Sequence, residues 1–145
     1  MLELSLVRAR SLIDGALAAA RSRAWKPMAV VVVDASAQVI ASAREDGASA
    51  LRLDIALGKA AAAVGMGVNS RVLAQRAKEL PAFFGAVAAA AQQKFIPQTG
   101  AVLILDAQSA AVLGAAGASG GTGDEDEAIV IAGMEAAGLR YAVNA

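Results

Sequence analysis

Residues 28–43 read MAVVVVDASAQVIASA, and the fold turns on how this stretch is parsed. Met28 through Val33 is rich in β-branched residues, Asp34-Ala35-Ser36 has turn chemistry, and residues 38–43 return to strand-forming composition, so a β-hairpin is expected. The valines are continuous and do not alternate with polar residues. A strand of that kind is covered on both faces. Helices are therefore expected on either side of the sheet that contains it.

The flanking sequence supplies them. Residues 2–23 carry Leu2, Leu6, Leu12, Ile13, Leu17 and Ala20 at helical spacing, with Arg8, Arg10, Arg21 and Arg23 between them, which is the pattern of an amphipathic helix. Pro27 closes that region. Residues 51–68, LRLDIALGKAAAAVGMGV, favour a second helix, although Gly58, Gly65 and Gly67 each weaken it. Asn69-Ser70 opens a helical stretch over residues 72–80, and Pro81, well placed in a first turn, opens another to about residue 91. A second hairpin follows, with strands at residues 101–105 and 111–118 and a turn at Asp106-Ala107-Gln108-Ser109. Thr122-Gly123-Asp124-Glu125 has the capping-box pattern, ahead of a last helix over residues 128–139. The order helix, hairpin, helices, hairpin, helix describes one α+β domain over residues 1–145, an antiparallel sheet flanked by helices.

Composition removes several function classes. At 145 residues the chain suits a single domain, and Lys plus Arg equals Asp plus Glu at 13 each. A net charge of zero offers no footprint for nucleic acid or an anionic membrane, and 3% aromatic residues offer no base-stacking platform. There is no Cys and no His. Disulfides, thiolate chemistry, a Ser-His-Asp triad and His-ligated zinc are thereby excluded. Acid–base work falls to Asp, Glu, Lys, Tyr or water. No metal site is expected either, since DEDE at residues 124–127 lacks the alternating ligand spacing of a calcium loop. MLELSLVRAR lacks the pattern of a secretory signal and no charge-free apolar run has membrane-spanning length, so a soluble cytoplasmic protein is expected.

Three segments resemble one family. AVVVVDASAQVIASAREDGA, residues 29–48, is similar to the opening "VVDxxGxLxxxxRxDGA" of the GlcG/HbpS family of heme-binding or heme-degrading domains, which are related to the PduO C-terminal domain. IALGKAAAAVGMGVNSRVLAQ, residues 55–75, resembles its central helix. VLGAAGASGGTGDEDEAIVIAGMEA, residues 112–136, resembles its closing "viGaiGvSGgtpeqDeeiA" signature. The resemblance implies an antiparallel sheet of about five strands with helices packed on it, and association into dimers or higher closed oligomers. It also implies a small-molecule ligand, heme in some members. One departure stands out: where many members carry a Gly-Gly-hPro-Ile segment before the penultimate strand, this chain has KFIPQTGAVLI. That segment shapes the family's ligand pocket, so the ligand need not be the family's.

The chemistry-bearing candidates sit in four places. In GASGGTGDEDEA, residues 117–128, the glycines suggest an anion cradle, with Gly120, Gly121 and Thr122 as the loop residues that would meet a cofactor. Against that, Thr122 and Glu125 can cap the helix, and Asp124 and Asp126 occupy the positive end of its dipole, so a capped turn is favoured over a phosphate site. Asp126 matches the most regular acid of the family signature and is the candidate base. Lys59 interrupts an apolar run. It either snorkels from a helix edge or enters a pocket, paired with an acid such as Asp126 or holding an anion, where burial would favour a reactive amine. Arg44, in REDG, is either a solvated turn residue or the group that holds a substrate carboxylate, and Arg71 is a weaker candidate for that role. Without His, a heme iron would need Met66, Met134, Lys59, Tyr141 or an oxygen ligand.

Two functions are expected from this set. The first is a homo-oligomeric small-molecule-binding protein or small cofactor-independent enzyme, acting on a carboxylated or carbonyl metabolite. Lys59 or Asp126 would move the proton and Arg44 would hold the anion, in a pocket formed by residues 117–126, the Lys59 helix and the Pro97 segment. The alternative is a non-catalytic heme-binding or sensory module, or a structural oligomerisation protein.

Overall fold

A computed structural model describes residues 3–92 and 94–145; Leu2, the first apolar position of the expected N-terminal helix, lies outside the described residues. The 28–43 stretch forms the expected hairpin: β1 (Ala29–Asp34) pairs antiparallel with β2 (Val39–Arg44), with a bulge near its closed end. Asp34 closes the turn by accepting the backbone N–H groups of Ser36 and Gln38 on one carboxylate oxygen. The second hairpin joins β3 (Ala101–Leu105) to β4 (Val112–Ser119), and β4 also pairs antiparallel with β1. In its turn Asp106 accepts the N–H groups of Ser109 and Gln108, and those two bonds hold its carboxyl down at about 2.

The sheet order is β2-β1-β4-β3. Among the described residues it has four strands, not the expected five. In place of a further strand, Arg140 makes a single bridge to Leu105 on the outer side of β3. The chain turns away there instead of continuing the ladder.

Central β1 is buried on both faces as its valines require. Val30 and Val32 face one core with Leu12, Ile104, Ile129 and Met134, while Val31 and Val33 face another with Ala56, Ala60, Leu103 and Ala115. The first face is covered by α1 (Leu6–Ser22) and α5 (Gly123–Ala137). These helices pack very closely: a Cβ on Gly133 would lie 2.3 Å from the Leu12 carbonyl oxygen, and one on Gly15 would lie 2.6 Å from Ala136 Cβ. The second face is covered by α2 (Arg52–Met66). Gly117 on β4 admits it, since a Cβ there would come within 2.5 Å of the Ala56 carbonyl oxygen. The alanine run of α2 thus lets a helix backbone lie almost on the sheet.

Gly67, at φ 72°, ends α2 in the left-handed conformation. Two shorter helices follow, α3 (Ser70–Glu79) and α4 (Pro81–Ala90), the latter starting on Pro81. Phe84 of α4 stacks on Phe95 and packs with Leu73 and Ala62 in a small satellite core. No described helix is long and apolar enough to cross a membrane.

Helix α5 begins at Gly123, five residues before the apolar pattern starts at Ala128. The capping box sets that boundary. Thr122 Oγ1 accepts the Glu125 N–H at 3.1 Å, and Glu125 Oε1 accepts the Thr122 N–H at 2.9 Å. Thr122→Ala should therefore lower stability by about 1 kcal/mol in chemical denaturation, with Thr122→Ser recovering most of the loss.

Candidate functional site

The glycine loop, the start of α5, the N-terminal half of α2 and the segment before β3 meet around an open cavity of about 450 Å³. At its base Lys59 Nζ lies 2.9 Å from Asp126 Oδ2 and donates a second hydrogen bond, at 3.0 Å, to the Ala118 carbonyl oxygen. Of the two arrangements left open for Lys59, the pocket pairing with Asp126 is the one formed. It is almost dry: Lys59 is 5% exposed and Asp126 1%. The other carboxylate oxygen of Asp126 accepts the Gly121 N–H at 2.9 Å. Burial pushes the Asp126 carboxyl above its usual range, an effect opposed by the Lys59 charge and hydrogen bond and by the Gly121 N–H. An ammonium has three donors, and two of the three on Lys59 are engaged within the protein.

Gly100 leaves room for this pair. Its φ of 140° suits glycine, and a Cβ there would stand 2.8 Å from Lys59 Nζ and 3.1 Å from Asp126 Cβ. The same segment contributes Gln98 and Thr99 to the cavity wall. Part of KFIPQTG, the segment that the resemblance associates with the family's ligand pocket, thus lines this cavity.

The loop amides serve the protein itself. Gly121 and Thr122 line the cavity, but their N–H groups are committed to Asp126 and Glu125. Gly120 packs against the segment that enters β1, where a Cβ would meet the Pro27 carbonyl oxygen at 2.3 Å. The glycines make a close turn and orient the carboxylate.

Arg44 stands apart from this cavity. It ends β2, and its guanidinium donates to the Ala48 carbonyl oxygen at 2.7 Å, beside a separate depression with Arg21, Glu45 and Asp46. Arg71, on α3, is taken by the acids at the start of α5. It bridges Asp124 and Glu127, and those hydrogen bonds, the one to Glu127 foremost, raise its pKa further.

The arginine that lines the cavity is Arg52, which sequence reasoning passed over. It opens α2 seven residues before Lys59, two helical turns away on the same face. Its Nη1 donates to Ser119 Oγ at 3.2 Å, and it makes no ion pair among the described residues. The acids of the cavity are each matched: Asp126 with Lys59, and Asp124 with Arg71. The site therefore presents a cationic fork, a serine hydroxyl and a buried proton-bearing pair. Among the described residues no group of three or more Asp or Glu is placed to hold a metal ion.

The lining does not fit heme. Ile55 is its one large apolar side chain, and Lys59 is held by Asp126. Of the other conceivable iron ligands, Met134 is fully buried in the core, Met66 packs in the satellite core, and Tyr141 donates to Glu135.

Comparison with known proteins bears on the fold. The heme complex of PduOC superposes with a TM-score of 0.83 at 23% identity, covering 94% of this chain and 96% of that one. The ORFY protein of Klebsiella pneumoniae gives 0.82 at 21% identity, covering 93% and 90%. A double mutant of Streptomyces reticuli HbpS gives 0.78 at 25% identity, covering 93% and 87%. No curated protein matches the chain in sequence. The family model described as "Haem degrading protein HbpS-like" matches residues 4–135, nearly the whole domain including every element that builds the cavity, and the chain belongs to that HbpS-like family.

Proposed function

We propose that this protein binds a small carboxylated metabolite in the cavity between α2 and the start of α5 and performs acid–base chemistry on it, as a self-associating protein. The observation that carries this reading is the charge inventory of the cavity. Its acids already have cationic partners, while Arg52 makes no ion pair among the described residues, so an entering anion meets a planar fork held only by the Ser119 hydroxyl. A carboxylate held there places its adjacent carbon near the Lys59–Asp126 pair.

The chemistry that suits this arrangement is proton transfer next to a carbonyl. Asp126, whose basicity burial increases, takes the proton from the carbon. The electron pair of that C–H bond moves to the carbonyl oxygen, and the remaining Lys59 N–H can donate a hydrogen bond to the oxyanion formed there. Return of the proton from Asp126 to carbon completes the exchange, with no change in oxidation state.

Calorimetric titration with acetate, pyruvate, lactate and succinate tests the binding step. Arg52→Ala should weaken the best ligand by about ten- to a hundredfold, as expected for loss of hydrogen bonds to a charged group, and Arg52→Lys should recover only part. Unchanged affinity in Arg52→Ala would remove the arginine from the site.

Heme is a second reading, favoured by the family description and by the heme complex of a structural relative. In this chain Lys59 is held by Asp126, and the exposed carboxylate of the cavity, Asp124, is held by Arg71. Hemin titration separates the two: a saturable Soret shift at micromolar hemin, in a protein that binds none of the four carboxylates, would replace the first reading with the second.

A further inference from the structure

Of the chain's lysines, Lys26, Lys78 and Lys94 are exposed, and only Lys59 is buried. Lys59 nevertheless lines the cavity. Its ammonium is a charge taken out of water, and so is the carboxylate it faces. When the proton crosses the 2.9 Å contact to Asp126 Oδ2, both charges vanish and the nitrogen gains a lone pair. Burial, which raises the Asp126 carboxyl, assists that transfer. A neutral amine in an apolar setting is a nucleophile toward carbonyl carbon.

Two successive residues of β4 fix the amine and the guanidinium of this cavity. The Ala118 carbonyl oxygen accepts from Lys59 Nζ at 3.0 Å, and Ser119 Oγ accepts from Arg52 Nη1 at 3.2 Å. A strand advances only about 3.3 Å per residue, so the two nitrogens are anchored at neighbouring points. The Arg52 charge also acts on the Asp126 carboxyl, which places all three groups around one space. A 2-oxo acid carries its carboxylate and its carbonyl on adjacent carbons. That is the spacing a guanidinium beside an amine would take.

We infer that Lys59 forms a Schiff base with the carbonyl of a 2-oxo acid whose carboxylate rests on Arg52. The inference rests on the site proposed above and deepens it, naming a substrate class and a covalent step. Neutral Nζ adds its lone pair to the carbonyl carbon, and the π pair of the C=O bond moves to oxygen. Asp126 returns to that oxygen the proton it took from Nζ, then relays a second one from the nitrogen. The oxygen leaves as water, and the nitrogen lone pair closes the C=N bond. The resulting iminium keeps one N–H and one positive charge, so it stays paired with the Asp126 carboxylate. Nothing is oxidised or reduced, and water is the sole leaving group. The iminium then draws electrons more strongly than the carbonyl it replaces, which eases removal of a proton from the neighbouring carbon by Asp126.

Isotope exchange into pyruvate, followed by mass spectrometry with the wild-type chain, tests this. In deuterium oxide the methyl hydrogens should exchange faster than without protein. In 18O-labelled water the carbonyl oxygen should exchange faster too, because hydrolysis of the iminium takes its oxygen from solvent. Deuterium entry without oxygen exchange would overturn the Schiff base and leave the proposed acid–base chemistry standing. Absence of both, in a protein that does not bind pyruvate, would remove the two together. Borohydride added to the same mixture should fix one reduced pyruvate on Lys59, located by peptide mass. Lactate, which has the carboxylate and no carbonyl, should protect Lys59. Arg52→Ala should lower the labelling about tenfold at subsaturating pyruvate, as expected for loss of a charged hydrogen bond. Labelling confined to Lys26, Lys78 or Lys94 would overturn the inference. Labelling of Lys59 that Arg52→Ala leaves undiminished would overturn the anchoring at Arg52, and the proposed binding site with it.

Discussion

Asp126→Ala should lower stability by about 3–5 kcal/mol, because it leaves the Lys59 ammonium buried with a single carbonyl acceptor. Lys59→Met should cost less. The carboxyl it strands already has a raised pKa and can accept a proton, which an ammonium in the same position cannot do. The double variant Lys59→Met/Asp126→Asn keeps an acceptor for the Gly121 N–H and removes both charges. It should therefore be more stable than Asp126→Ala, and urea denaturation of Lys59→Met, Asp126→Asn and the double variant measures that coupling. Costs that simply added would show that the pair does not act as a unit.

The pH dependence follows from the direction of the shift. In the unfolded chain Asp126 titrates near 3.8, and in the folded chain burial moves it higher. Between those two values the folded chain holds a proton that the unfolded chain releases, so this group's contribution falls as pH rises through the window and is constant above it. Lys59→Met removes the charge that opposes the burial effect and should widen the window upward. Denaturation midpoints measured from pH 4 to 8 should therefore decline further for Lys59→Met than for the wild type.

Gly100→Ala should also be severe. Its φ of 140° is a conformation that L residues avoid, at about 1–3 kcal/mol. The added methyl would in addition press on Lys59 Nζ, the Ala118 carbonyl oxygen and Asp126 Cβ, at separations of 2.8, 3.0 and 3.1 Å. Crowding of that kind costs about 1–3 kcal/mol more. The variant should show both a lower denaturation midpoint and weaker carboxylate binding. Gly85→Ala, in open space on α4, is the control and should leave binding unchanged.

The sequence carried the fold through a few strong local signals. Uninterrupted valines required a strand with both faces covered, and β1 is central with a helix layer on each side. Pro81 and the Thr122–Glu125 box each marked a helix start through its own backbone chemistry, whereas Gly67, expected only to weaken a helix running to residue 68, ends it at Met66. The capping of β3 by Asn69 and Ser70 was not legible, because those bonds join residues more than thirty positions apart. Both side chains sit where a helix start is expected and spend their hydrogen bonds on a strand.

The site was legible in half. A lysine in an alanine run and an aspartate behind a glycine turn each read as unusual, and the fold joins them. Arg44 drew attention because it follows a strand and belongs to a recognisable turn motif. From the end of β2, however, it lies two strands away from β4, whose Ser119 contacts the arginine that lines the cavity. Arg52 gave a weaker signal, its spacing of seven from Lys59, which means nothing until one knows which face of α2 looks onto the glycine loop. The acids of residues 124–127 argued against an anion when read alone. Their partners, Lys59 and Arg71, come from other helices, so how much of that charge is matched could not be counted from the segment alone.

A two-dimensional 15N–1H spectrum recorded during titration with pyruvate, and in parallel with acetate, lactate and succinate, locates the ligand most directly. Saturable shifts should concentrate on the amides of Thr99, Gly121, Thr122 and Gly123 and on the Arg52 side-chain Nε–H, and should vanish in Arg52→Ala. Saturable binding whose shifts fall elsewhere, or a spectrum unmoved by all four carboxylates, would contradict the assignment of this cavity as the functional site.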